Sequence, residues 1–344
     1  MKSDNNVAKI LGSPAWGSFR NLWGILIAVV VMCIFFSIME PNFYTVTNFL
    51  TILRNSSINA MIAFGMTLVI LMGGIDLSVP GTMASAGMVS TLVLRYQEQR
   101  TGPDPALFSD SQTFFMVTVS ISAGLGVGIL IGFFNGFFSS KFKIAPFIVT
   151  LAVSYITKGI ALLSTRGTVV SVRVEAYNKM GTMMIGGIIP IQIVFMLGVF
   201  AILFICLNKT KYGRRVYAIG GNEQSARYSG IAVGRIKISS FMILGLLAAF
   251  GGIITCARMN SGQPTIGSNS ELDAIAASIL GGTSFTGGIG TLTGTMIGAI
   301  ILYLIQNGLN LLSVDQFWQP VAKGIVILVA VYIDVQKYKQ KQRA

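Results

Sequence analysis

Long uncharged apolar stretches recur along this sequence, and they restrict its possible folds more than any other feature does. Two of them, residues 55–75 and 77–94, are separated by a single charged residue, Asp76. A helix needs about 20 mostly apolar residues to cross the hydrocarbon core of a bilayer. Of the 344 residues, 53% are hydrophobic and 11% are charged, whereas a soluble domain usually has about 25% charged residues. The sequence therefore predicts an all-α polytopic membrane protein.

The apolar stretches predict about ten transmembrane helices, some of them broken or re-entrant, in one membrane domain over residues 22–334. An amphipathic stretch, residues 47–54, precedes the second helix, and the eighth stretch is short enough to be re-entrant. The predicted spans are residues 22–39, 58–73, a third that ends near residue 94, 113–139, 144–163, 188–207, 238–257, 272–280, 292–312 and 317–333.

Basic residues between the spans predict how the chain is oriented. The connection 208–237 holds seven basic residues and one acid, Glu223, and the tail 335–344 holds four basic residues. Because basic connections favour the cytoplasmic side, we expect both segments, and the N-terminal segment 1–21, in the cytoplasm. An even number of crossings then separates the connection from the tail, which requires residues 272–280 to cross. The basic clusters are divided by spans and form no continuous basic face, so we expect no nucleic-acid partner.

Two glycine-rich segments, residues 73–81 and 281–290, interrupt the predicted helices. Non-helical backbone at membrane depth is tolerated only where protein buries it or where it lines a water-filled cavity. Such breaks mark solute sites in many transporters that are built from repeats. The two breaks do not occupy matching positions in the two halves of the chain, so the sequence gives little support for an internal repeat.

Asp76 has two interpretations. A carboxylate between two long uncharged stretches is expensive in a membrane and suggests a role in a solute path or gate. Alternatively, Asp76 or Ser78 caps the third helix, with Pro80 in its first turn.

Other polar residues inside the spans are candidates for a hydrophilic solute path, since hydrogen-bonding groups suit a sugar. The alternative is that such residues hold helices together through close contacts and interhelical hydrogen bonds. Outside this group, we expect Lys323 to snorkel to the membrane surface and Asp273 to favour the N-terminus of the eighth span. The candidate path or gate residues are Asp76, Ser78, Asn135, Thr150, Ser154 and Asn307.

Catalytic and metal-binding patterns are missing from the sequence. It has no histidine, which removes the most common general base and most zinc sites. A Gly-x-x-x-x-Gly-Lys-Ser/Thr loop for nucleotide phosphates is also missing. Each of the three cysteines lies in an apolar stretch, which favours buried free thiols. We therefore expect no catalytic residue, no metal and no cofactor in this chain, and any energy for transport comes from elsewhere.

The connection 208–237 contains a short predicted helix. Asn222 suits the N-cap of this helix, Glu223 its first turn and Gly230 its C-terminal stop. Helices of fewer than about 12 residues are marginal in water, so this one must contact either the protein's own surface or a partner. Ala226, Tyr228 and the nearby Ile231 are its candidate apolar contacts, beside Arg227.

Four motifs resemble permease subunits of ribose, xylose and galactose-type ABC importers. The first is Gly-Ile-Asp-Leu-Ser-Val at 74–79, which departs from the family pattern by having Pro80 before Gly81. The second is Asn-Gly at 135–136 with Pro-Phe-Ile-Val-Thr-Leu at 146–151. The others are the segment from Tyr-Ala-Ile-Gly-Gly-Asn at 217–222 to Ser-Gly-Ile at 229–231, and the glycine-rich segment 279–290. They keep the family's order and span roughly residues 40–315.

The resemblance implies a type II-like importer permease in a bacterial cytoplasmic membrane. Its expected partners are a second permease subunit (identical or paralogous), a cytoplasmic tandem ATPase that uses ATP and Mg²⁺, and an extracytoplasmic solute-binding protein. The resemblance also implies that the connecting loop docks on the ATPase. The coupling residues expected there are Gly220, Gly221, Asn222, Glu223, Ala226, Arg227, Tyr228 and Gly230.

Three alternatives remain open from the sequence. An ion-coupled secondary transporter would also be polytopic with broken helices, although only Asp76 offers a buried carboxylate for coupling. A membrane scaffold or receptor has no obvious use for the breaks. Within the same family, the solute could be a nucleoside or a signalling furanoside instead of a monosaccharide.

Overall fold

A computed structural model describes residues 14–102, 108–315, 317–325, 328 and 332 of the chain, and helices make up most of it. Residues 318–325 are also helical, within the predicted tenth span. A short 3₁₀ helix, Pro41–Tyr44, follows the first helix. The α-helices are α1 (Pro14–Met39), α2 (Val46–Leu71), α3 (Val79–Thr101), α4 (Asp110–Lys141), α5 (Pro146–Thr165), α6 (Glu175–Thr182), α7 (Ile191–Lys209), α8 (Lys211–Gly221), α9 (Glu223–Tyr228), α10 (Val233–Met259), α11 (Ser270–Leu280) and α12 (Leu292–Leu311).

Four strands of two residues each complete the elements in the described part of the chain. Strand β1 (Val170–Ser171) pairs antiparallel with β4 (Ser261–Gly262), so that Val170 lies opposite Gly262. Strand β2 (Met184–Ile185) pairs antiparallel with β3 (Ile189–Pro190). These pairs connect helix ends and form no sheet core.

Helix α10 lies at the centre of the bundle. Its most apolar stretch is 72% buried, against 28% for α4, α5 and α7, so those three helices direct most of their surface outward. Small residues allow α4 to approach α10 closely. A Cβ atom at Gly132 would overlap the backbone of Phe241, and one at Gly128 would overlap the backbone of Gly245. Close approach through glycine is typical of helix contacts in membranes, where no hydrophobic force drives helices together.

Helix α2 is almost completely buried from Ser56 to Leu71. The sequence predicted an amphipathic segment at 47–54 and a separate span from residue 58, but α2 is one continuous helix that begins at Val46. The side chain of Thr45 caps it by accepting a hydrogen bond from the backbone of Asn48. The amphipathic stretch therefore forms the first two turns of the span itself.

The connections between helices separate into two ends of the bundle. At one end, the backbone N–H of Gly288 donates to the carbonyl of Leu71 at 2.8 Å, and the hydroxyl of Tyr217 donates to the carbonyl of Gly290 at 2.8 Å. The breaks after α2 and α11 thus meet the loop helix α8, which α9 follows directly, and we call this the loop-helix end. The strand pair β1–β4 and helix α6 lie at the opposite end.

Helix α11, the predicted eighth span, has 11 residues, which gives a length of about 16 Å at 1.5 Å per residue. That is too short for a bilayer about 30 Å thick. Its first turn lies in the opposite half of the bundle, where Asp273 contacts Asn59 near the middle of α2, and the non-helical segment after α11 reaches the loop-helix end. Because strand β4 precedes α11 at the opposite end, the segment from β4 through the break connects the two ends. The tail 335–344 lies outside the described residues, and of the predicted N-terminal segment 1–21 the described part, from Pro14 on, belongs to α1.

Candidate coupling loop and pathway residues

Helix α8 opens the connection between α7 and α10, and the sequence analysis missed it. Thr210 caps this helix, its hydroxyl accepting a hydrogen bond from the backbone N–H of Tyr212 at 3.1 Å. Gly213, Val216 and Ile219 form its buried face, at the three-residue spacing of a helix. Three glycines in this segment lower its helix propensity. The cap followed by Val216 and Ile219 was the signal that could have identified the helix.

The end of α8 lies directly on both helix breaks. A Cβ atom at Gly220 would overlap the carbonyl oxygen of Leu71 and crowd the backbone of Gly288. The same carbonyl of Leu71 accepts the hydrogen bond from Gly288, so three chain segments meet through backbone atoms. Any side chain at position 220 is excluded, which explains the requirement for glycine there.

Helix α9 has the predicted bounds and caps. Its N-cap is Asn222, whose Oδ1 accepts a hydrogen bond from the backbone of Ser225 at 2.8 Å. Gly230 ends the helix with a φ of +79°, a conformation that glycine adopts without strain. The backbone of Ile231 then donates to the carbonyl of Ala226 at 3.1 Å and closes the turn.

The two candidate apolar contacts on α9 point in opposite directions. Tyr228 is 88% exposed, whereas Ala226 is 4% exposed and belongs to the main core of the protein. The prediction that Ala226 offers a contact to a partner is therefore wrong, because its side chain anchors α9 to its own protein. Tyr228 remains available to a partner.

Glu223 fixes α9 to the start of α10. Its carboxylate accepts a hydrogen bond from Lys237 at 2.6 Å and one from Arg227 at 2.9 Å. Burial alone would raise the pKa of Glu223, but the charges and hydrogen bonds of Lys237 and Arg227 hold that pKa below its usual range. The carboxylate is therefore ionised at neutral pH, and the ion pairs are present.

Four of the six candidate pathway residues lie together around the first break. The carboxylate of Asp76, which is 1% exposed, accepts hydrogen bonds from the backbone N–H and the hydroxyl of Ser78 at 2.7 and 2.6 Å. The side-chain amide of Asn135 donates to the hydroxyl of Ser78 at 2.7 Å and to Asp76 at 3.4 Å. The hydroxyl of Thr150 accepts a hydrogen bond from the backbone of Leu77 at 2.9 Å.

This group ties the break to α4 and α5. Ser78 occupies the N-cap position of α3 without a capping side-chain bond, and Pro80 lies in the first turn as predicted. The carboxylate of Asp76 satisfies the donors of Ser78 in place of a conventional cap. These hydrogen bonds of Asp76 favour the second of its two interpretations, in which it caps α3 and braces the break.

Ser154 and Asn307 lie apart from this group. The backbone of Ser154 contacts α3 at Gly81, where a Cβ atom would overlap it. Asn307 is at the opposite end of the bundle and exchanges two side-chain hydrogen bonds with Asn48, at 2.9 and 3.0 Å. Both residues join helices, and the structure does not bring Asn307 near Asp76.

A polar network in the opposite half of the bundle escaped the sequence analysis. Lys323 forms an ion pair with Asp273 at 2.9 Å, and their side chains are only 23% and 15% exposed. Asn59 donates hydrogen bonds to Asp273 at 3.3 Å and to the hydroxyl of Tyr303 at 3.1 Å. The expectation that Lys323 snorkels to the surface is therefore wrong, and Asp273 does more than favour a helix terminus. No local pattern connects residues so distant in sequence.

The comparisons with known proteins agree with these features. A family described as "Branched-chain amino acid transport system / permease component" matches residues 48–331. The chain belongs to this family of transport permeases. It is a multi-pass membrane protein and a transport component, and it is not an enzyme in itself.

Several relatives of this chain have names that refer to sugars. The ribose import permease protein RbsC of Bacillus subtilis (strain 168) is 44% identical over 320 residues, which cover 91% of this chain and 92% of the relative. RbsC of Escherichia coli (strain K12) is 40% identical over 315 residues, or 91% and 93% of the two chains. The L-arabinose transport system permease protein AraH of the same strain is 36% identical over 329 residues, or 95% and 94%. These matches confirm the resemblance given by the four motifs. No solved structure matches the chain.

Proposed function

We propose that this chain is the membrane permease subunit of an ATP-driven importer that moves a monosaccharide across the cytoplasmic membrane. The names of the relatives support a sugar, and ribose and L-arabinose are the first solutes to test. The proposed partners are a second permease subunit, an extracytoplasmic solute-binding protein and a cytoplasmic tandem ATPase, which would use ATP and Mg²⁺.

The observation that carries this proposal is the contact of α8 with both helix breaks. An ATPase that moves α9 would move α8, because the connection between them is a single residue, Asn222. The end of α8 touches the backbone of Leu71 and Gly288 without an intervening side chain. Packed backbone contacts of this kind have low compressibility and transmit displacement. Force at the loop would therefore be delivered to the end of α2 and to the break after α11 together.

The buried group around Asp76 acts, in this proposal, through the conformation of the break. Asp76, Ser78, Asn135 and Thr150 are all buried and bonded to one another or to the break's backbone. They hold the non-helical segment between α2 and α3 in place beside the proposed solute path. This role does not require direct contact with the solute. An ion-coupled mechanism is not favoured, because the matched relatives are named as import permeases of the same family.

The docking proposal is tested by replacing Tyr228 with glutamate. Tyr228 projects from the surface, so the change leaves the helices intact, but it places a charge where the ATPase is proposed to bind. The variant is expected to reach the membrane at normal abundance, to lose co-purification with the ATPase and to lose uptake of labelled ribose or L-arabinose. Tyr44→Glu is the matched control, since Tyr44 is also exposed (72%) but lies at the opposite end. Normal complex formation by Tyr228→Glu would contradict the docking site.

The orientation is tested by cysteine labelling. Cys33, Cys206 and Cys256 are first replaced by alanine, and single cysteines are then placed at the exposed positions Ser225 and Thr168, which lie at the two ends of the bundle. A membrane-impermeant reagent added outside intact cells should label position 168 and spare position 225. Labelling of position 225 from outside would reverse the proposed orientation.

A further inference from the structure

A cavity of about 650 Å³ lies at the loop-helix end, between α9 and the connection from α4 to α5. Its wall carries Lys143, Arg227 and Lys237 against one carboxylate, Glu223. Glu223 is bound by Arg227 and Lys237, whereas Lys143 has no ion pair within the described part of the chain. The cavity is therefore positively charged, and Lys143 holds an uncompensated charge on its wall.

Two serine hydroxyls on the same wall lack partners. Ser139 is 8% exposed, and neither its Oγ atom nor that of Ser140 has a hydrogen-bond partner among the described residues. A helical serine usually donates to the carbonyl of the preceding turn, and a buried hydroxyl without a partner costs about 1–3 kcal/mol. Both residues line the cavity, so an acceptor placed there would satisfy them.

An apolar groove between α4 and α5 begins where the cavity ends. Ile144 lines both spaces, so the groove continues from the basic cavity along the outward surface of the two helices. Apart from Thr157, only apolar side chains line it. They include Leu130, Phe134 and Phe138 on α4 and Ile148, Ala152 and Ile156 on α5.

We propose that an anionic phospholipid binds at this place, with its phosphate in the cavity and an acyl chain in the groove. Phosphate oxygens accept hydrogen bonds from the hydroxyls of Ser139 and Ser140, and the ammonium of Lys143 neutralises the charge. Basic cavities between membrane helices on the cytoplasmic side suit lipid headgroups of this kind. A free phosphate would satisfy the cavity and leave the groove unexplained. A protein segment would need an acidic group beside a long apolar stretch, and a lipid supplies both in the surrounding membrane.

The bound lipid would join the α4–α5 connection to α9, because residues of both line the cavity. Its headgroup would limit the movement of α9 relative to the spans. The lipid-binding site does not depend on the proposed function, whereas this effect on coupling does.

The experiment measures binding of phosphatidylglycerol and phosphatidylcholine to the purified full-length chain in detergent, by native mass spectrometry of lipid adducts. Phosphatidylglycerol is expected to bind in preference. Lys143→Gln should weaken its binding about fivefold, since one lysine near an anionic surface contributes about 1 kcal/mol. Lys141→Gln is the matched control: Lys141 lies two residues away, its ammonium sits 5.0 Å from the centre of the Phe137 ring, and it does not line the cavity. The control should bind like the wild type.

A second variant tests the groove. Ala152 faces outward and lines the groove, so Ala152→Trp fills the groove without disturbing the core and should also weaken binding of the long-chain lipid. If Lys143→Gln proves unstable, Gly234→Leu replaces it. A Cβ atom at Gly234 would lie 3.8 Å from the Cβ of Ser140, so the new side chain fills the cavity without overlap at its base.

Three results would overturn the proposal. Equal binding of phosphatidylglycerol and phosphatidylcholine would show that headgroup charge does not determine binding. Displacement of phosphatidylglycerol by inorganic phosphate, with no effect of Ala152→Trp, would assign the cavity to free phosphate. Wild-type lipid binding by Lys143→Gln, combined with loss of ATPase co-purification, would mean that a protein covers the cavity. Tyr228 also lines the cavity, so its variant is left out of the lipid assay. Normal complex formation by Tyr228→Glu would contradict the docking site and leave the lipid results for Lys143→Gln and Ala152→Trp unchanged.

Discussion

Backbone atoms meet directly where α8 contacts the two helix breaks, whereas polar side chains form the pairs described in the opposite half of the bundle. Gly220, Leu71 and Gly288 come together with no side chain between them. The opposite half contains the ion pair of Asp273 with Lys323 and the amide pair of Asn48 with Asn307. Backbone contacts leave little room for adjustment, while side-chain hydrogen bonds can break and form again. We therefore expect the contact between the breaks to transmit movement, and the side-chain pairs to allow their helices to separate.

The largest effect is expected from Gly220→Ala. The added methyl group would overlap the carbonyl of Leu71, and overpacking against backbone costs about 3 kcal/mol or more. We expect a clear fall in the thermal unfolding temperature in detergent and loss of uptake. Gly221→Ala is the matched control, because nothing lies within 4 Å of the added atom, and it should behave like the wild type. A stable, active Gly220→Ala variant would show that the backbone contact is not essential.

Asp76→Ala should produce the next largest effect, because it removes the buried carboxylate that braces the first break. The change leaves the two donors of Ser78 without their acceptor, and unsatisfied buried donors cost about 1–3 kcal/mol each. Asp76→Asn keeps an acceptor oxygen and should retain most of the stability and uptake. Both are measured by thermal unfolding and labelled-sugar uptake. Loss of uptake by a stable Asp76→Asn protein would instead assign the carboxylate's charge to a solute path or gate.

Asp273→Asn should have a moderate effect that is confined to the opposite half of the bundle. Breaking a fully buried ion pair costs about 3–5 kcal/mol, and partial exposure of this pair reduces the expected loss to about 2 kcal/mol. Thermal stability should fall while co-purification with the ATPase remains normal, in contrast to Tyr228→Glu. A double-mutant cycle with Lys323→Gln measures the pair itself. A coupling energy near zero would mean that the pair does not hold this half together.

The smallest effect is expected from Glu223→Gln, which weakens the attachment of α9 to α10. The pKa of Glu223 lies below its value in an unfolded chain, which is about 4.3. The contribution of its ion pairs is therefore complete above that value and is lost as the pH falls through the lower, folded pKa. Because the side chain is 40% exposed, we expect less than about 1 kcal/mol. Hydrogen exchange of the α9 amides at neutral pH should rise in the variant; unchanged exchange would show that Ala226 alone holds the helix.

Local features were predicted from the sequence more successfully than contacts between distant segments. Asn222 and Gly230 determine the ends of α9 through groups only a few residues away, so its bounds could be predicted. The same holds for Asp76 with Ser78. The pair Asp273–Lys323 and the meeting of Gly220 with Leu71 depend on which helices become neighbours, and apolar stretches of similar composition do not determine that. Ala226 was assigned to the wrong face because the position of α9 on the protein depends on the same neighbours.

The hydrogen bond from Gly288 to the carbonyl of Leu71 also constrains the order in which the protein can be completed during synthesis. The ribosome makes Leu71 long before Gly288, and until then this carbonyl lacks its final donor. An unsatisfied carbonyl in hydrocarbon costs several kcal/mol. The newly inserted end of α2 must therefore remain in contact with water, or with the insertion machinery, until the second glycine-rich break has been made. The N-terminal spans can thus enter the membrane early, but they reach their final arrangement only after most of the chain has been translated.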